Sequence, residues 1–253
     1  MFKENLFATI VFFVFSLSIG AQKTQIIAHR GYWNTTGSAQ NSISSLKNAY
    51  KLGCYGSEFD VHITTDGVIV VNHNDDVGNI NIETHPYSDI KDCKLANGEK
   101  LCTLKQYLKT GKKLKGMQMI LEIKMHQTAE RENRCVDGVV DMVKKFKMQK
   151  QVEYISFSSN VCKRLAKETP NSRISYLGKN LSPSQCKGMG CTGIDNDIET
   201  LRSHPDWIHE AHDLGMYVNV WTIETPEEAR EFIVKKADFL TTNIPALCLK
   251  MVK

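Results

Sequence analysis

The sequence predicts an α/β fold of the TIM (β/α)8-barrel type, on three observations. Short β-rich runs alternate with amphipathic stretches from Gln25 to Pro245, giving about eight strand–helix units. A chain of 253 residues is long enough for one such barrel. No glycine-rich phosphate loop supports the alternative, an open doubly wound sheet.

Residues 1–21 precede the fold. Lys3 gives a weak positive start, Leu6 to Ile19 is almost wholly apolar, and Gly20 and Ala21 follow. This is the layout of a secretory signal peptide, with cleavage expected near Gly20 to Gln22. An N-terminal membrane anchor is the alternative. The apolar run is shorter than the ~20 residues that span a bilayer, and no basic cluster follows it. The expected mature domain is 22–253, exported to the periplasm or secreted, without a stable membrane span.

Gln25–His29 reads as the first strand. Asn41–Leu52 carries Ile43, Leu46, Ala49 and Tyr50 at helical spacing, and Gly53 stops it. Ser57–Ile63 is a strand, and Val68–Val71 is another after an Asp66-Gly67 turn. Residues 75–101 lack a clean period and read as an excursion. Thr103–Lys109 resumes as a helix with Thr103 as its N-cap. Strands at Gln118–Ile123, Tyr154–Phe157, Arg173–Leu177, Thr192–Asp195, Tyr217–Trp221 and Phe239–Thr242 then alternate with helices. Those helices are Ala129–Phe146, Asn160–Glu168, Ser182–Lys187, Glu199–Leu214 and Pro226–Val234. Pro245 opens a last helix at its first turn.

The formal net charge of +4, with no dense Lys/Arg block, gives no electrostatic footprint for nucleic acid. All eight cysteines follow residue 21. In an exported chain, Cys186 and Cys191 could pair across Lys-Gly-Met-Gly, and Cys93 and Cys102 could clip a second loop. Burial as small apolar groups is the other reading. The double C-x-x-C spacing of a zinc site is missing.

Side chains alternate along a strand, so Glu58 and Asp60 of the run EFDV share one face. Glu122 and Lys124 of LEIK share a face in the same way. If both faces point inward, three carboxylates meet one lysine, and a hard divalent cation, Ca2+ or Mg2+, would balance them. In a barrel, the strand C-termini carry the site. His29 and His73 each end an apolar run and form a candidate acid/base pair, because imidazole titrates near neutral pH. Arg30 offers a planar fork suited to phosphate oxygens. Together these groups describe phosphoryl chemistry. His62, His85, His126, His204, His209 and His212 lack such company and are expected at the surface or behind the site.

The chain resembles the glycerophosphodiester phosphodiesterases over nearly all of its mature length. The resemblance rests on AHRG (Ala28–Gly31), EFDV (Glu58–Val61), TTDGVIVVNHND (Thr64–Asp75), LEIK (Leu121–Lys124), VWT (Val220–Thr222) and TNIP (Thr242–Pro245). It implies a TIM barrel with a small insertion after the second strand, which fits residues 75–101. It implies one divalent cation on Glu58, Asp60 and Glu122, with His29 and His73 as the acid/base pair. Arg30 and Lys124 would hold the phosphate, and Trp221 would line the glycerol or alcohol part. The implied reaction cleaves a small-molecule glycerophosphodiester, such as glycerophosphocholine, to glycerol 3-phosphate and an alcohol. The substrate's own glycerol hydroxyl would attack first.

Two positions depart from the family pattern. Ala39-Gln40-Asn41 stands where the family often has Pro-Glu-Asn, so a glutamate becomes neutral Gln40. Asn243 stands where aspartate is favoured. It can still accept a hydrogen bond or cap the last helix, so a modest structural effect is expected. Two rival readings are a phospholipase C/D-like enzyme acting on intact lipid and a catalytically inactive phosphodiester-binding protein. The first needs an apolar rim, and residues 75–101 are mostly polar. The second should have lost a histidine or carboxylate, and none is missing.

Overall fold

The computed structural model describes residues 23–253. The expected signal peptide lies outside the described residues. The first strand, β1 (Gln25–Ala28), ends one residue before His29, and α1 (Ile43–Leu52) follows it. Ser42 caps α1 by accepting from the Ser45 amide, and Gly53 closes it in the left-handed conformation. Next come β2 (Gly56–Ile63), β3 (Ile69–Val71), the hairpin β4 (Asp76–Val77) and β5 (Ile80–Asn81), the single turn α2 (Tyr87–Ile90) and β6 (Cys102–Thr103).

Helix α3 (Leu104–Gly111) starts from the expected cap. Thr103 and Gln106 form a reciprocal capping box. Then follow β7 (Gln118–Ile123), α4 (Ala129–Phe146), β8 (Val152–Ser156), α5 (Ser159–Glu168), β9 (Ile174–Tyr176) and α6 (Pro183–Gly188). The last part holds β10 (Gly193–Asp197), α7 (Ile198–Ser203), α8 (Trp207–Asp213), β11 (Tyr217–Ile223), α9 (Pro226–Val234), β12 (Phe239–Thr242) and α10 (Pro245–Met251).

Strands β1, β2, β7, β8, β9, β10, β11 and β12 are parallel neighbours, and β12 pairs back onto β1 to close the barrel. Val68–Val71 was expected as a strand and contains β3. That strand runs antiparallel to β2 and forms an arm outside the barrel, continued by β6. The insertion after the second strand is therefore real, and it is more ordered than its sequence suggests. Val70, Val77, Ile82, Ile90 and Leu101 give it a small core of its own.

The single helix expected over Glu199–Leu214 is two helices. Pro205 supplies no amide hydrogen and disfavours helical geometry in the residue before it. His204 accordingly sits at φ −126°, ψ 69°, and the chain restarts at Trp207.

Alternation along the strands sorts the side chains into two sets. Phe59, Val61, Leu121 and Ile123 join the large core between sheet and helices. Ile27, Ile120, Ile155, Leu177 and Phe239 form a second cluster, flanked by Tyr55, Tyr217 and Trp221. Glu58 and Asp60 occupy the face opposite Phe59 and Val61, and the strand geometry leaves them no other direction.

Candidate active site

The parallel register of β2 and β7 sets Asp60 beside Glu122. Glu58 lies two residues before Asp60 on the same face. One ligand oxygen from each of the three carboxylates lies within 4.8 Å of the others, and all three residues are buried. This convergence was the sequence-based expectation.

Burial, then the charges of Asp60 and Glu122, push the Glu58 carboxyl well above its ordinary range. Burial, then Asp60, pushes Glu122 up to about 8. Burial would also raise Asp60, but Lys124, His73, Asn41 and Arg30 outweigh it and hold that group low. Without a cation, the site therefore keeps its negative charge on Asp60 and favours protons on its neighbours. The donor set fits a hard dication. It offers only oxygens, and Glu58 Oε1 is buried with no hydrogen-bond partner. Such an ion would displace the protons from Glu58 and Glu122.

Two cations face the triad. Lys124 Nζ lies 3.0 Å from Glu122 Oε1 and 3.5 Å from Asp60 Oδ1. Burial tends to lower the Lys124 pKa, but Glu122 and Asp60 raise it above its ordinary value. Arg30 Nε lies 3.8 Å from Asp60 Oδ2. Arg30 occupies the left-handed region at φ 54°, and its backbone amide donates to Glu58 Oε2 at 2.7 Å. Gly31 follows at φ 78°, and a Cβ there would collide with Ser45 of α1. The glycine thus admits the first helix, not the substrate.

His29 lies just past the end of β1. Its Nδ1 is 2.9 Å from Asn243 Oδ1, which also accepts from Trp33 Nε1 at 3.2 Å. Asn243 Nδ2 donates to Glu224 at 3.0 Å, which fixes the amide's orientation. A carbonyl oxygen can only accept, so His29 carries its proton on Nδ1 and keeps Nε2 free as a base. Burial, then Arg30, pushes this imidazole down to about 4. The expectation that Asn243 could accept a hydrogen bond is met. The last helix is not capped by it, because Ile244 holds that position without a side-chain bond.

His73 is half-buried, and its Nδ1 donates to Asn74 Oδ1 at 2.9 Å. Burial lowers its pKa and Asp60 opposes that effect. Trp221 donates its indole N–H to the Asp195 carbonyl at 3.1 Å and meets Phe157 edge-on. His29, Arg30, Glu58, His73, Glu122 and Lys124 line a cavity of about 180 Å³ together with the apolar Ile155, Phe157, Leu177 and Trp221. Every residue singled out from the sequence as catalytic or substrate-binding lines this cavity. Asp60 is the metal candidate behind it.

Asn41, Gln40 and Asp195 were not assigned these positions in advance. Asn41 at φ 59° donates to Asp60 Oδ2 and accepts from the Asp60 amide. Gln40 accepts from Arg30 Nη1 at 2.7 Å, so the neutral replacement lies directly against that guanidinium. Asp195 is 1% exposed with an unpartnered Oδ1, and burial pushes it up to about 7 against a hydrogen bond from Asn219. His62 and His126 are buried, which leaves for them the second of the two expected positions, behind the site. His62 Nε2 approaches the His73 carbonyl at 3.3 Å, which ties the His73 loop to β2. The alternation Glu58, Asp60, His62 was the signal for its inward direction. His85, His204, His209 and His212 lie outside the cavity wall.

All eight cysteines are free thiols. Neither the Cys186–Cys191 nor the Cys93–Cys102 pairing is formed. Cys162 Sγ instead approaches the carbonyls of Ser156 and Ser175, at 3.7 and 3.9 Å.

Fold and site together define a (β/α)8-barrel hydrolase site for phosphate esters. Residues 29–247 match the glycerophosphoryl diester phosphodiesterase family, and the chain belongs to that family. A crystal structure of a glycerophosphodiester phosphodiesterase from Parabacteroides distasonis is 47% identical, with a TM-score of 0.91 over 92% of this chain and 98% of that one. A glycerophosphodiester phosphodiesterase of Caldanaerobacter subterraneus is 23% identical, covering 91% of this chain and 98% of that protein. The barrel also matches an Oleispira antarctica phosphodiesterase in complex with the product sn-glycerol-3-phosphate, at 20% identity. Its TM-score is 0.77, covering 90% of this chain and 96% of that one.

Proposed function

We propose that the chain is a metal-dependent glycerophosphodiester phosphodiesterase that releases glycerol 3-phosphate and an alcohol. One observation carries the reading. A buried carboxylate triad, two cations and two histidines with free Nε2 atoms converge on one cavity, Asp60 from just behind its lining. All the residues that the family resemblance assigns to the chemistry are present, which supports an active enzyme over an inactive binding protein.

Arg30 and Lys124 bind the non-bridging phosphate oxygens. Glu58, Asp60 and Glu122 would hold a Ca2+ or Mg2+ ion, which when bound would add positive charge where negative charge develops at phosphorus. His29 Nε2 takes the proton of the attacking glycerol hydroxyl. As the new P–O bond forms, the bond to the alcohol breaks. Protonated His73 gives its Nε2 proton to that leaving oxygen. Water then opens the cyclic phosphodiester, with the two histidines exchanging roles. Trp221 and Phe157 pack the carbon face of the glycerol and keep water from it.

The apolar run at residues 6–19 supports action outside the cytoplasm. No helix among the described residues is long and apolar enough to cross a membrane. The test is glycerol 3-phosphate release from glycerophosphodiesters with and without a chelator. Full activity in excess chelator contradicts metal dependence, and activity confined to intact phospholipid contradicts the substrate class.

A further inference from the structure

A second, larger cleft of about 680 Å³ opens beside the catalytic cavity. The β1–α1 loop and the insertion form its walls. His73 lines both spaces, so the cleft begins where the catalytic cavity ends. Gln40 lines it too, and its side chain holds Arg30 on the catalytic side.

The lining is neutral and mixed, with Trp33, Ala39, Leu95 and Ala96 beside the polar residues. Asn34, Thr35, Thr36, Ser38, Asn72 and Asn74 present amides and hydroxyls. No Asp, Glu, Lys or Arg lines the cleft among the described residues. A nearby carboxylate, Glu99, is committed to the amides of Ile43 and Ser44 at the start of α1. Trp33 is the only aromatic residue lining the cleft apart from His73, and its N–H is tied to Asn243.

We propose that this cleft is the leaving-group subsite and that it takes a neutral polyol, such as a glycerol, inositol or sugar headgroup. This rests on the phosphodiesterase reading above. The proton donated to the leaving oxygen comes from His73, so the alcohol must lie on the His73 side, where the cleft opens. Asn72, Asn74 and Ser38 are engaged within the protein. The amide and hydroxyls of Asn34, Thr35 and Thr36 match several hydroxyls, each donor and acceptor at once, and the apolar lining suits the carbons between them. A quaternary ammonium group asks for a cage of aromatic faces or a free carboxylate, and the cleft has neither. A simple alkyl alcohol would leave these polar groups unused.

The test compares kcat/KM for four esters: glycerophosphoglycerol, glycerophosphoinositol, glycerophosphocholine and glycerophosphoethanol. The last has a leaving group too short to enter the cleft. The two polyol esters should exceed glycerophosphoethanol by about tenfold, the effect of one or two net hydrogen bonds. Glycerophosphocholine should show no such gain. The double variant Asn34→Leu with Thr36→Val, and separately Ala96→Trp from the opposite wall, should erase the polyol gain. Glycerophosphoethanol turnover should stay within about twofold, as expected for surface changes away from the reacting groups. A gain for choline, or a polyol gain that survives both folded variants, overturns the inference. A misfolded variant shows itself as lost glycerophosphoethanol turnover, and the wild-type comparison then decides. If the metal-loaded wild type turns over none of the four, the phosphodiesterase reading itself has failed.

Discussion

His29 Nδ1 and Asn243 Oδ1 lie 2.9 Å apart across 214 positions of sequence. The contact joins the end of β1 to the end of β12, the two strands that close the barrel. It fixes which imidazole nitrogen carries the proton. Asn243→Leu should therefore lower kcat by about tenfold or more, since a mis-set tautomer forfeits part of the 10²–10⁴ that a general base contributes. KM should change little, because Asn243 does not line the cavity.

Asn243→Asp makes a different prediction. A carboxylate at this distance favours the protonated imidazole and raises the His29 pKa. A base works only when unprotonated, so the acid limb of the kcat/KM profile should move to higher pH. In the wild type, burial and Arg30 push His29 down to about 4. Its limb should lie well below neutral. A pH profile of both proteins checks this, and identical acid limbs would contradict the assigned base.

The metal has a signature in stability as well as in rate. Glu122 is raised to about 8 in the folded, cation-free protein, above an ordinary unfolded value near 4.5. Between those values the folded state binds more protons than the unfolded state. Its contribution to stability is full below the lower value and falls away as pH rises through the upper one. Chelated protein should thus lose melting temperature from about pH 5 to 8. Added Ca2+ or Mg2+ should restore it most at the alkaline end, where no proton need be displaced. Thermal melts across pH with and without cation measure this. Glu58→Gln and Glu122→Gln should lose the cation response while remaining folded.

The carboxylates were legible because strand alternation is a local rule. Glu58 and Asp60 had to share a face, and so did Glu122 and Lys124. That both faces point into the barrel followed from the fold. Asn41, Asn243 and Asp195 were not legible in these roles. Asn41 reaches Asp60 through a positive-φ turn, Asn243 reaches His29 through barrel closure, and Asp195 is unusual only in its burial. Pro205 was a local signal for the break after α7, and the apolar spacing through 199–214 concealed it. That Cys162 turns its thiol to the carbonyls of β8 and β9 depends on how α5 packs on the sheet, which spacing cannot express.

Thiol chemistry should follow burial. Cys93 alone is partly exposed, and the other seven are buried. Burial pushes Cys54, Cys102 and Cys186 up to about 12, so little thiolate is present at neutral pH. A disulfide reagent on native protein kept under reducing conditions until assay should modify about one thiol quickly, and all eight after denaturation. Rapid modification of several native thiols would contradict this packing.

The central claim is that His29 and His73 move protons at a metal-assisted phosphodiester site. The most direct measurement is the rate of glycerol 3-phosphate release by metal-loaded wild type, His29→Ala and His73→Ala, with a thermal melt of each. Each variant should lose about 10²–10⁴ in kcat, while its melting temperature stays close to wild type. Near-normal release by either variant, or a melting temperature that falls in step with activity, would make that histidine structural and contradict the account.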